Sequence, residues 1–377
     1  MTSIVQSQIE LAPLTTLKLG GQAVSYLKAT TLEELLQGLS IARDKKLPLY
    51  VLGGGSNTIF SDSGFPGLVL HIATRGIETI ERDETSVTLD VASGESWDGF
   101  VQYCISAGLA GVECLSGIPG SVGAVPIQNV GAYGQEVSQT IVSVRCLDRI
   151  TFEQIVFSNE ECEFNYRQSR FKSYDRDRYI VIGVAFRLST VQIQEPRYEE
   201  LRQALNPLST GDGASFRETD HNIQPRPEER ADALLRLRNA VLALRKKKSM
   251  VVDESDPESR SAGSFFLNPV ISAGQRQEFQ SRMEQAGVVD FPCFESGDSY
   301  KLSAAWLVEN SGFSKGYSEN GVGISRSHSL ALVNRDGSTA ALMNLARKVQ
   351  NRVFEFSGVW LEREPVLAGP EESLPKR

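Results

Sequence analysis

The sequence predicts an α+β protein of two or three domains, and three observations lead there. The chain has 377 residues, and domains commonly span about 100–200. It opens with strand, helix, strand over residues 24–52. From about residue 65 the pattern changes, and residues 65–200 read as a second α+β region. With 41% hydrophobic and 23% charged residues the chain can bury sizeable cores, so a disordered or collagen-like chain is excluded. The net charge of −8 argues against a general nucleic-acid or anionic-membrane binder, while leaving room for a local basic pocket.

The first element is a strand over Val24 to Ala29, followed by a helix from Thr31 to Arg43. Thr31 with Glu34 is a capping-box pattern, and Leu32, Leu35, Leu36 and Leu39 form one apolar face. Leu49 to Leu52 is the second strand, so the three elements read as a βαβ unit. Strands are expected at Leu68 to Leu70 and Ser86 to Val91. A helix carries Trp97, Phe100, Val101 and Cys104, and further strands run over Ile141 to Leu147 and Tyr179 to Leu188. Residues 205–230 are polar and rich in turn formers, as in a linker or surface insertion. A helix from Glu228 to Lys247 follows, with Leu234, Leu235, Leu237, Val241 and Leu242 as its apolar side. Later helices are expected at Lys301 to Glu309 and Ser338 to Phe354, with a strand at Leu330 to Val333 between them. The tail after Gly369 is expected to be disordered.

No run of apolar residues is long enough for a membrane span, and the N-terminus lacks the basic and apolar regions of a secretory signal. Cys104, Cys114, Cys146, Cys162 and Cys293 are odd in number, scattered and without a C-x-x-C pair, which fits reduced thiols in a cytoplasmic protein. Three histidines, His71, His221 and His328, and no zinc-type ligand spacing argue against a metal centre.

Chemistry concentrates in glycine-rich loops. Gly53-Gly54-Gly55-Ser56-Asn57 follows a strand, where backbone N–H groups can converge on an anion without Cβ obstruction; a tight turn is the plain alternative. It is neither the G-x-G-x-x-G fingerprint nor a P-loop. Ser116-Gly117-Ile118-Pro119-Gly120-Ser121-Val122-Gly123 is a second such loop, and Asn129 to Gly134 a third. Two loops of this kind in adjoining regions suit cradling of a pyrophosphate from two sides.

LGGGSN, SGIPGSVGAVPIQNVGAYGQEV, CEFNYRQSRFK, SAGSFFLNP and WLEREP, in that order, closely resemble the UDP-N-acetylenolpyruvoylglucosamine reductases, the flavoenzymes that make UDP-N-acetylmuramate for peptidoglycan. The resemblance covers about Leu14 to Gly369. It implies a two-subdomain FAD-binding fold of the vanillyl-alcohol-oxidase type with a third α+β substrate-binding domain. The implied division is 1–65 joined by 360–377, then 66–230 including the polar insertion, then 231–359. It also implies the first of the family's two subtypes, with a tyrosine loop closing over the substrate. FAD, held non-covalently, is expected to rest on Gly53, Gly54, Gly55, Ser56 and Asn57 and on Ser116, Gly117, Ile118, Pro119, Gly120 and Gly123.

The resemblance implies a two-step reaction in which NADPH reduces FAD and hydride then passes from N5 to C3 of the enolpyruvyl group. Arg167 would stabilise charge near the flavin and the enolpyruvyl carboxylate, for which a planar, permanently charged fork is suited. Ser264 would deliver a proton to C2, and Glu364 would help stabilise the enol or enolate with Arg167. Judged alone, Tyr166-Arg167 is a common surface pair and Ser264 an ordinary serine at a strand start. Glu364 is chosen over Glu362 by position, and Arg363 between them departs from the Leu-Glu-Pro-Glu of many relatives. Tyr166, Tyr198, Lys248, Asn268, Lys315 and His328 are the implied substrate contacts, with Tyr198 on the closing loop and His328 a departure from the family pattern. Both lysines also read as solvated surface residues. A small-molecule partner only, a monomer and a cytoplasmic location are expected. Two other readings remain: an oxidase of a small alcohol or hydroxy acid on the same fold, and a flavin-binding or structural protein with a decayed site.

Overall fold

A computed structural model describes residues 4–196, 198–205 and 227–370, so most of the 205–230 insertion and the tail beyond residue 370 lie outside the described residues. The chain forms two compact units. Among the described residues, the first takes 4–6, 25–54 and 67–247, and the second 7–24, 55–66 and 248–370. The expected subdomain 1 therefore contributes segments to both units, and residues 231–247 of the expected third domain belong to the first unit.

In the first unit the helix Leu32–Asp44 lies between strands Gln22–Ala29 and Leu49–Leu52. Thr31 caps it, accepting the Glu34 N–H at 3.2 Å. The Glu34 carboxylate returns to Thr30 rather than to Thr31, accepting its N–H at 2.6 Å, so the capping box is displaced by one residue. Leu35 and Leu39 are buried, as their spacing predicts. A Cβ at Gly38 would stand 2.7 Å from Leu70 Cδ1, so helix and sheet approach closely there. Leu49–Leu52 pairs in parallel with Phe65–Ile72, which separates it from Gln22–Ala29. The βαβ connection thus skips one strand.

A five-stranded antiparallel sheet follows, in the order Gln154–Ser158, Ile141–Asp148, Tyr179–Ser189, Ser86–Ala92, Ile77–Arg82. The helix Trp97–Ser106 buries Trp97 and Phe100 against Phe186, with ring centroids 5.9 and 4.9 Å away. The two outer strands, absent from the sequence expectation, carry mostly exposed residues. The helix Pro227–Lys247 buries Leu234, Leu237 and Val241. Leu235, assigned to the apolar side, instead points outward at 47% exposure, because it lies off the stripe that those three residues set.

The second unit has its own core, including Leu17, Ile59, Phe265, Phe266, Leu307, Leu345 and Leu367. Its longest helix, Thr339–Ser357, is capped by Ser338 and ends at Gly358 in the left-handed conformation. The strand Val366–Ala368 pairs in parallel with Thr58–Phe60. The helix expected from Lys301 is shorter. Tyr300 and Lys301 belong to the strand Ser299–Leu302, and Ser303 caps a helix over Ala304–Asn310. Likewise the strand expected from Leu330 begins at Leu332, because the Leu330 N–H is taken up in a turn by His328 Nδ1.

Among the described residues no helix is long and apolar enough to cross a membrane, and no group of three or more His, Cys, Asp or Glu could hold a metal ion. All five cysteines are free thiols.

Candidate active site

The first two glycine loops meet backbone to backbone in the first unit. A Cβ on Gly53 would stand 2.6 Å from Ser121 Oγ, and one on Gly54 would stand 2.6 Å from Gly120 Cα and 2.7 Å from its carbonyl carbon. Gly117 and Gly120 have φ of 73° and 127°, which L side chains rarely adopt. Among the described residues the backbone N–H groups of Gly54, Gly120 and Ser121 find no acceptor. Unpaired backbone donors where two glycine loops meet are suited to an anion.

The second loop is held from outside. The Gly117 N–H donates to Asp98 Oδ1 at 2.5 Å, and Arg238 grips both oxygens of that carboxylate at 2.7 Å. Burial pushes the Asp98 carboxyl up, but Arg238 and the Gly117 N–H outweigh it and hold the group below its usual range. Sequence reasoning missed this clamp, since Asp98 and Arg238 lie 140 residues apart. Ser116 is fully buried and turns both its hydroxyl, at 2.6 Å, and its N–H, at 3.3 Å, onto the Glu113 carbonyl, so it anchors the start of the loop. Ile118 packs on the first core, Pro119 is half-buried, and Gly123 donates its N–H to the Ser93 carbonyl at 2.8 Å.

Arg167, also in the first unit, rests on the third glycine loop. Its Nη1 donates to the Asn129 carbonyl at 3.2 Å and its Nη2 to the Gly131 carbonyl at 2.6 Å. The guanidinium carbon lies 5.7 Å from the Tyr166 ring centroid. Arg167, Asn129 and Tyr133 all have φ near 50°, at 53°, 44° and 51°. Left-handed backbone at non-glycine residues is costly and clusters at functional sites. Tyr198 is 55% exposed and meets Tyr133 edge-on at 6.1 Å.

In the second unit, the segments carrying Ser264 and Glu364 pair with each other. The Glu364 N–H donates to the Phe265 carbonyl at 2.9 Å, the Leu267 N–H to the Glu362 carbonyl at 3.0 Å, and Phe266 bridges Arg363. Glu362 and Glu364 therefore share one side of this short ladder. Arg363 turns the other way, with Nη1 at 3.5 Å from Met343 Sδ. The first glycine loop ends here: Asn57 Nδ2 donates to the Glu364 carbonyl at 3.3 Å, and the Asn57 carbonyl accepts the Val366 N–H at 2.9 Å. Gly55 and Ser56 offer their carbonyls to the Thr16 N–H and hydroxyl.

The other expected substrate contacts divide. Asn268 commits Oδ1 to the Ala304 N–H at 2.9 Å, capping a helix, so a ligand contact falls to its amide nitrogen. Accepting the Leu330 N–H at 3.1 Å marks His328 Nδ1 as unprotonated. Lys248 is half-buried just past the helix Pro227–Lys247, and Lys315 is exposed on a turn whose Gly316 has a φ of 84°. Arg167 thus lies in one unit, and Ser264 and Glu364 in the other.

Comparison with known proteins bears on the whole chain. Residues 24–150 match the FAD binding domain family, and residues 256–368 match the UDP-N-acetylenolpyruvoylglucosamine reductase C-terminal domain family. The UDP-N-acetylenolpyruvoylglucosamine reductase of Thermobifida fusca is 44% identical over 98% of this chain and 99% of its own length. That of Streptomyces coelicolor is 44% identical over 95% and 89%. The crystal structure of the Thermus caldophilus enzyme of the same name superposes with a TM-score of 0.62 at 23% identity, covering 97% of this chain and 98% of that one.

Proposed function

The chain belongs to the UDP-N-acetylenolpyruvoylglucosamine reductase family, and from that membership we infer an FAD-dependent oxidoreductase of peptidoglycan synthesis acting on the enolpyruvyl group of a UDP-sugar. The observation that carries the reading is the pairing of the Ser264 and Glu364 segments, which supports their service in one reaction. NADPH is the proposed hydride source, and FAD, when bound, supplies hydride transfer to C3 of the substrate.

The glycine cradle fits that cofactor. Gly53, Gly54, Gly120 and Ser121 would hold the pyrophosphate through backbone N–H groups, with Gly55, Ser56, Asn57, Gly117 and Gly123 shaping the two loops. Gly54→Ala is therefore expected to lower the FAD-to-protein absorbance ratio after gel filtration while leaving the far-ultraviolet circular dichroism unchanged. Full flavin retention would show that the cradle holds something else.

Ser264 is proposed to give its hydroxyl proton to C2. A serine hydroxyl is a weak acid, so the charge around the substrate must supply the driving force. Arg167 serves this by receiving charge that develops on the enolpyruvyl carboxylate, in a fixed fork that needs no reorganisation. Glu364 is proposed to stabilise the enol form with it. Lys248 and Lys315 take the diphosphate, and Tyr166, Tyr198, Asn268 and His328 complete the substrate contacts. The three-part division and the tyrosine-loop subtype belong to the same proposal, as do a monomeric state and a cytoplasmic location.

The test is direct: NADPH should bleach the yellow holoenzyme, and UDP-N-acetylenolpyruvoylglucosamine should restore the colour. Failure of the substrate to restore it would refute the reading. Acid precipitation should release all the flavin into the supernatant. Lys248→Ala and Lys315→Ala should each raise KM for the UDP-sugar about ten- to hundred-fold with kcat little changed. A charge on a remote diphosphate holds ground and transition states alike. A lysine whose removal leaves KM unchanged is a solvated surface residue.

A further inference from the structure

Two segments of the first unit, residues 127–138 and 165–172, are stitched together around one buried amide. Asn129 is 1% exposed and has a φ of 44°. Its Nδ2 donates to Glu136 Oε2 at 2.8 Å and to the Asn165 carbonyl at 3.1 Å, while its Oδ1 accepts the Ser138 N–H at 3.1 Å. One acceptor facing a backbone N–H and two donors facing oxygens fix the orientation of the amide, since a flip would break all three bonds. Its own carbonyl receives Arg167 Nη1. Asn165, whose carbonyl the amide grips, closes the turn that presents Arg167 by exchanging backbone bonds with Gln168 at 3.1 and 3.0 Å. The turn is tied down further by Lys172 Nζ on the Arg167 carbonyl at 2.8 Å and by the Ser169 hydroxyl on the Ile127 carbonyl at 2.6 Å.

We propose that Asn129 is a positioning residue for Arg167. One side chain sets both the carbonyl on which the guanidinium rests and the base of the turn from which it projects. Two left-handed residues, Asn129 and Arg167, are held in this arrangement, a conformation that persists where the surrounding contacts over-determine it. Asparagine suits the first position because its short polar side chain tolerates that conformation. Gly131 completes the seat: a Cβ there would stand 3.3 Å from Arg167 Nη1 and 2.8 Å from Glu136 Cγ. Leucine, aspartate or any larger donor-free residue at 129 would leave the Asn165 carbonyl held by the Gln168 N–H alone, no longer tied to residue 129, and the seat unfixed. The inference rests on the proposed role of Arg167, and its test separates the two.

Holoenzymes carrying Asn129→Ala and Asn129→Gly are to be compared in both half-reactions, alone and combined with Arg167→Ala. Glycine keeps the backbone conformation without strain, so it remains informative if the alanine variant folds poorly. Both single variants should reduce with NADPH at the wild-type rate and reoxidise with the UDP-substrate about 10–100-fold more slowly, as for a misplaced catalytic group. On the Arg167→Ala background the same substitutions should add no further loss, because a residue acting through Arg167 has nothing left to position. Asn129→Asp should be slow at pH 8 and recover toward pH 5.5. Its carboxyl would face the Glu136 carboxylate and the Asn165 carbonyl, and only a shared proton restores a donor toward Glu136. Equal losses on both backgrounds, equal losses in both half-reactions, or a wild-type reoxidation rate would each overturn the proposal. If Arg167→Ala itself reoxidises normally, the role given to Arg167 is what fails.

Discussion

Ser264→Ala is expected to leave reduction by NADPH near the wild-type rate and to slow reoxidation by the enolpyruvyl substrate about 10²–10⁴-fold, the usual cost of removing a positioned general acid. The structure makes this substitution clean. The backbone around Ser264 is held on the far side by the Phe265 N–H on the Leu330 carbonyl at 2.7 Å and by the Phe265 carbonyl on the Glu364 N–H at 2.9 Å. Phe265 and Phe266 are buried in the core of the second unit, so the residue after Ser264 cannot drift. Among the described residues the Ser264 hydroxyl makes no hydrogen bond, so its loss should change stability by no more than about 0.5 kcal/mol. A large kinetic effect with an unchanged Tm therefore reports on chemistry. Stopped-flow absorbance of the flavin reads both half-reactions in one experiment. Equal slowing of both would make Ser264 a structural residue.

What the sequence discloses here is what local spacing can encode. The Thr31 cap, the Trp97 helix face and the glycine loops are local patterns, and each lies where its spacing places it. The misassigned stretches have local causes too. Ile77–Arg82 and Gln154–Ser158 are outer strands with few buried residues, so no alternation marks them. The helix expected from Lys301 takes in the strand residues Lys301 and Leu302, although Ser303 is itself a cap signal. The site is harder because its bonds are long in sequence. Arg167 rests on carbonyls 36 and 38 residues away, and Asn57 reaches Glu364 across 307. Carbonyl acceptors leave no trace in residue identity, so the third glycine loop read only as a loop. Its one legible signal was Asn129 at the entrance, a residue type suited to left-handed backbone.

Arg167→Ala is expected to lower the rate of substrate reduction about 10²–10³-fold, as when one preorganised donor to developing charge is removed. Arg167→Lys should recover little of it. The guanidinium spans the Asn129 and Gly131 carbonyls with two different nitrogens, at 3.2 and 2.6 Å, and its plane carries further donors in a fixed fork. An ammonium is a single point charge on a flexible stem and cannot rest on both carbonyls while facing a carboxylate in the same plane. Restoration by lysine would mean that charge alone matters and that the carbonyl seat is incidental. Arg167→Gly supplies the control for folding. With a φ of 53° at this position, glycine relieves backbone strain that alanine keeps, so the glycine variant should be at least as stable as the alanine variant and equally slow. Added guanidinium salt should raise the reoxidation rate of both small-residue variants, and the same concentration of sodium salt should not. A role confined to the fold predicts the opposite pattern: activity following Tm, with glycine faster than alanine and no response to guanidinium.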